Sequence, residues 1–66
     1  MVDRHERNWV FRVSAFGFTF PVVLHGAEED VVNYANTEFP NWLGYIGVTD
    51  EDVKAYKHMG GKVYLV

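Results

Sequence analysis

The chain has 66 residues, 48% hydrophobic and 17% aromatic, with six Lys or Arg against nine Asp or Glu and a formal charge of −3. That length supports one domain, expected to span residues 1–66, and a domain so small buries only about 60% of its unfolded surface. With no cysteine, disulfides and a Cys-based zinc site are excluded as reinforcement, so the eleven aromatic residues must supply the core.

Residues 1–7 are charged and lack an apolar segment of signal-peptide type; they read as a flexible N-terminal arm. From Asn8 to Ala15 the chain alternates. Trp9, Phe11, Val13 and Ala15 share one face and Val10, Arg12 and Ser14 the other, which predicts a strand. Phe16-Gly17 is the turn signal, and a second alternating run over 18–24 completes a β-hairpin, with Phe18, Phe20, Val22 and Leu24 on its inner face. Pro21 cannot donate to a ladder, so the second strand is expected at an edge. His25-Gly26 is expected to break it. A helix over 27–38 follows, with Val31, Tyr34, Ala35 and Glu38 or Phe39 at helical spacing and acids in its first turn. Pro40 ends it.

The segment NWLGYIGV reads as a packed loop or short irregular strand, with Trp42 and Ile46 inward. Thr49 opens a second helix over 50–59. Its T-D-E-D is close to a capping box, with Asp in place of the usual Glu or Gln, and Gly60-Gly61 stops it. Residues 62–66 form a last short strand. The fold class expected is α+β: a small antiparallel sheet of about three strands, elements in the order ββααβ, with two helices packed on one face. The opposite sheet face would carry Val10, Arg12, Ser14, Thr19, Val23, Tyr64 and Val66. It is apolar enough to seat a contact between copies, unless the N-terminal arm folds over it.

Charge is unevenly distributed. All six basic residues lie toward the ends, and between Val13 and Val53 there are seven acids and no Lys or Arg. Direct binding to a phosphate backbone needs clustered Lys or Arg, so nucleic acid is not expected as a direct partner; a basic protein surface is. The longest apolar stretch is about half of the ~20 residues a spanning helix needs, and Pro21 interrupts it, so no membrane role is expected. A cytoplasmic location is the expectation.

Six acids stand in two triplets at predicted helix starts: Glu28, Glu29 and Asp30, then Asp50, Glu51 and Asp52. Capping explains acids there, each gaining about 0.3–1 kcal/mol from the helix dipole. Three per helix exceed what one cap needs, and one anionic patch results if both starts lie at the same end of the sheet. A calcium loop is disfavoured, because the acids are adjacent rather than alternating and no distal Glu follows. The three histidines, His5, His25 and His58, are isolated in sequence. Ser14, the only serine, sits mid-strand, so no nucleophile-and-base pair can be assembled. No catalytic residue, metal or cofactor is expected, and the protein reads as a non-enzyme.

In size, acidity and the patches GAEEDVVNYA and VTDEDVKAYK, the chain resembles the small, acidic, Cys-free proteins of bacteriophages and mobile elements, among them anti-CRISPR proteins. The resemblance implies stoichiometric inhibition. An anionic surface would occupy a basic nucleic-acid channel as a nucleic-acid mimic, or block a partner subunit of a nucleoprotein complex. The contact would be the six acids, with Tyr34 and Tyr56 as aromatic anchors. The alternative is a structural or adaptor module that homo-oligomerises through its sheet face or edge strand. A monomer or weak homodimer is expected.

Overall fold

The computed structural model describes residues 6–66. Strands β1 (Glu6–Ala15) and β2 (Phe18–Ala27) lead into helix α1 (Glu28–Glu38). Strand β3 (Trp42–Val48), helix α2 (Asp50–His58) and strand β4 (Val63–Leu65) follow. The four strands form one sheet in the order β3-β1-β2-β4. β1 pairs antiparallel with both β2 and β3, whereas β4 runs parallel to β2.

The hairpin is set by its turn. Phe16 and Gly17 both lie in the left-handed region, at φ 53° and 80°, which is the two-residue geometry whose twist matches the flanking strands. Pairing then runs unbroken from Ala15↔Phe18 to Glu6↔Ala27. His25-Gly26 does not break β2, contrary to expectation. Gly26 stays in the strand because Arg7 of β1 pairs with it, and glycine suits the close packing there: an added Cβ would lie 3.3 Å from the Val66 carbonyl oxygen and 3.4 Å from Val31 Cγ1. Pro21 does sit on an open edge although β2 is an inner strand, because β4 pairs only with Val23, Leu24 and His25.

One face of the sheet holds the main core. Phe11, Leu24, Val31 and Ala35 are fully buried, with Trp9, Val13 and Val22 around them. Val31 and Ala35 are four apart on α1, the spacing that puts them on one helix face. The aromatic weight expected of the core is there. The Phe11 and Tyr45 rings stack at 4.8 Å, and Trp42 meets Phe11 edge-on at 5.6 Å. The buried Trp9 indole donates to the Gly26 carbonyl at 3.0 Å, meeting its need for an acceptor.

Several expectations need correction. The sheet has four strands, not about three, because Trp42–Val48 is a strand despite its two glycines. It is mixed rather than antiparallel. The helices do not share a face: α1 packs over Trp9, Phe11 and Leu24, while Val53 of α2 packs beside Val10 and Val23, whose side chains point to the other side. The reason is that both faces of the central hairpin are apolar, and a two-faced apolar sheet needs cover on both sides. Val23, placed on the exposed face by sequence, is 1% exposed beneath α2, and Tyr64 packs against the main core. Glu6 and Arg7, expected in the N-terminal arm, belong to β1; residues 1–5 of that arm lie outside the described residues.

Inward and outward residues shift too. Trp42 is half-buried against the core as expected, but Ile46 is 67% exposed. Phe18 and Phe20, expected inward, are exposed. Helix α1 starts at the far end of β2 and, at about 1.5 Å per residue against about 3.4 Å for a strand, is too short to reach the hairpin tip.

Candidate functional site

The pairings Glu6↔Ala27 and Asn8↔Val48 put the ends of β2 and β3 on either side of the start of β1. Each helix begins directly beyond one of those ends. The two acidic triplets therefore lie at the same end of the sheet, on opposite faces.

On the α2 side the acids are largely engaged. Thr49 is the N-cap, and its hydroxyl accepts from the Asp52 amide at 3.2 Å. The Asp52 carboxylate accepts from the Thr49 amide at 3.3 Å, closing the capping box read from T-D-E-D. Asp50 accepts from Asn8 Nδ2 at 2.8 Å. That contact fixes the Asn8 amide, so its Oδ1 is what faces His25 Nδ1 at 2.8 Å. A carbonyl oxygen only accepts, so His25 Nδ1 carries the proton and Nε2 is left for other contacts. Asn8, buried, thus ties β1 to both β2 and α2.

This side is also not purely anionic. Asp50 and Glu51 line an open groove of about 440 Å³ with His25, Lys54 and Lys57. Arg7 lines a neighbouring groove with Asp50 and Thr49. The second triplet has basic neighbours along the chain, in Lys54 and Lys57 of the same helix, and the fold adds Arg7 from β1.

The α1 side differs. The N-cap is Ala27, whose side chain makes no capping bond, and α1 has no basic residue in its last turn. Glu28 and Glu29 are exposed and Asp30 is half-buried. Glu28 accepts from the Tyr45 hydroxyl at 2.7 Å, which pins the helix start to β3. That hydrogen bond, then desolvation, then the Glu28 charge hold the Tyr45 phenol above its ordinary pKa.

The expected anchors sit further along their helices. Tyr34 and Tyr56 are each six residues past the first acid, about 9 Å along the axis. Both are half-buried in packing: Tyr34 lies 6.1 Å from Phe39, and the Tyr56 ring lies against Gly61. Tyr56 also lines a small apolar cavity of about 230 Å³ with Val10, Pro21, Val23, Val48 and Val53.

Two features escaped the sequence reading. The Asn8–His25 pair was within reach, because a two-residue turn at 16–17 pairs residues whose numbers sum to 33. Its link to Asp50 spans 42 positions and has no local signal. The other feature is exposed apolar surface: Phe16 and Phe18 at the hairpin tip, 98% and 73% exposed, and Leu43 and Ile46 on β3, 61% and 67% exposed.

Among the described residues, no group of three or more His, Cys, Asp or Glu is placed to hold a metal ion, and no helix is long and apolar enough to cross a membrane. Compared with protein-family models, curated proteins and solved structures, the chain matches none.

Proposed function

We propose that the protein is a small, non-enzymatic, protein-binding inhibitor, encoded by a phage or mobile element and acting in the host cytoplasm. It sets its acidic end against a basic, nucleic-acid-handling partner such as a CRISPR–Cas complex, as a nucleic-acid mimic or steric blocker. The observation that carries this reading is the meeting of both acidic helix starts at one end of the sheet. The α1 start is the stronger half, since its three acids stand on a helix with no Lys or Arg. A one-signed field of this kind speeds association by roughly 10–10³ and is screened over about 8 Å at physiological salt.

The test is a tagged pull-down from the source cell, with and without nuclease, followed by association kinetics with the captured basic protein. Glu29→Gln with Glu51→Gln removes two exposed charges that hold no cap. The double variant is expected to stay folded and associate about tenfold more slowly at low salt, with a shallower salt dependence. Unchanged kinetics in a folded double variant would refute the reading.

A further inference from the structure

The two edges of the sheet are protected differently. On one side, β4 is only three residues long and follows Lys62, and the open stretch of β2 beyond it carries Pro21. Shortness, Lys and Pro are the usual guards against strand addition. On the other side, β3 offers seven residues, Trp42–Val48, with no charge and no proline. One row of its backbone N–H and C=O groups faces away from β1, and Leu43 and Ile46 stand exposed beside it. Water satisfies that row in a single chain, and an added extended strand would replace the water with regular ladder bonds.

We infer that the occupant is β3 of a second copy, joined antiparallel about a two-fold axis through Tyr45 to give one eight-stranded sheet. Three observations select the second copy. First, the strand is self-complementary. The axis sets Ile46 of each copy opposite Gly44 of the other, and a Cβ at Gly44 would meet nothing within 4 Å, so the space for the Ile46 side chain exists. Ile46 and Gly44 also lie on the same sheet face, opposite Val10 and Arg12 of β1. Second, with no charge on β3, its two-fold pairing brings no like charges opposite each other. Third, antiparallel pairing reverses the second copy, so the two acidic ends go to opposite ends of the dimer rather than together. The β-bulge between Arg12 and Val13 displaces only the start of β3 and leaves Gly44–Val48 in regular register with β1.

The contact is small, so association is weak, with a dissociation constant on the order of 100 µM. It is tested on the protein alone, independently of any inhibitory partner. Sedimentation equilibrium from about 10 µM to about 1 mM is expected to show the mass rising toward twice the 7.6 kDa of one chain. Over the same range, hydrogen exchange of amides in 44–48 is expected to slow with concentration. Ile46→Lys and Leu43→Lys, both at exposed positions, are expected to keep the thermal midpoint and weaken the dimer at least tenfold. Phe18→Ser, at the hairpin tip, is expected to leave it unchanged. A protein monomeric at about 1 mM overturns the inference. So does a dimer that survives Ile46→Lys, or one lost with Phe18→Ser, which would place the contact at the tip.

Discussion

Replacing Phe16 by Asn is expected to stabilise the protein. Phe16 sits at φ 53°, a region where a side-chain-bearing residue costs roughly 1–2 kcal/mol and where Asn is enriched several-fold. The side chain is 98% exposed, so removing it forfeits almost no burial. Asn-Gly is also the preferred dipeptide for this turn. The net gain is about 0.5–1 kcal/mol, which for a domain of this size raises the melting midpoint by about 3–6 °C. Thermal and urea unfolding followed by circular dichroism would read it, with the urea slope unchanged. Gly17→Ala is the companion. At φ 80° an added Cβ meets nothing within 4 Å, so any loss comes from the backbone alone, and about 1 kcal/mol is expected. A lower midpoint for Phe16→Asn would refute the reasoning, because it would mean that the Phe16 ring supports the fold.

Thr49→Ala removes the hydroxyl of the capping box and is expected to cost about 0.5–2 kcal/mol, read as a lower urea midpoint. Asn8→Ala strips His25 Nδ1 and Asp50 of their shared partner, and a loss of about 1–3 kcal/mol is expected, together with faster hydrogen exchange in α2. The Tyr45 phenol should titrate above its ordinary range by ultraviolet absorbance, a shift reduced in Glu28→Gln, which removes the Glu28 charge and leaves desolvation. Because the folded-state value is the raised one, the associated stability is fully present below the unfolded value and is lost as pH rises through the folded one; Tyr45→Phe removes that dependence.

The hairpin was legible because three local signals agree there: alternation on both strands, a turn dipeptide and β-forming residues. The helices were legible from Val31–Ala35 spacing and the T-D-E-D cap. What failed was assembly. Alternation says that Trp9 and Val10 point to opposite sides, but only burial shows that both sides are covered. Val10 and Val23 looked like an exposed apolar face and are in fact the seat of α2. β3 was obscured because Gly44 and Gly47 lower strand propensity, whereas in the fold Gly47 suits close packing: an added Cβ there would lie 3.3 Å from the Trp9 ring. The inward reading of Phe18 and Phe20 rested on alternation, which does not say how far along the hairpin the covering helix reaches. At the site, the positions of the acids were legible. Lys54 and Lys57 were legible too, because they follow the second triplet on the same helix, whereas Arg7 was not, since the fold rather than sequence order puts it there.

Whether the acids serve the fold or a partner has different answers at the two helices. At α2 the structural tasks are plain. Asp52 completes the cap and Asp50 holds Asn8, and that helix needs the help, since Val53 is its only buried residue. These structural tasks account for two of its three carboxylates, and the lysines beside them weaken any long-range field. At α1 the helix is held by two residues of zero exposure, Val31 and Ala35, and no side chain caps its start. Glu28 is engaged by Tyr45, yet that bond leaves its side chain at the surface. The dipole gain of about 0.3–1 kcal/mol per acid is available to both helices and cannot explain the contrast between them. An anionic contact would therefore centre on the α1 start, with Glu51, the α2 acid that neither closes the cap nor holds Asn8, as the contribution from the other face. Charge removal at Glu29 separates partner binding from stability more cleanly than any change at Asp50 or Asp52.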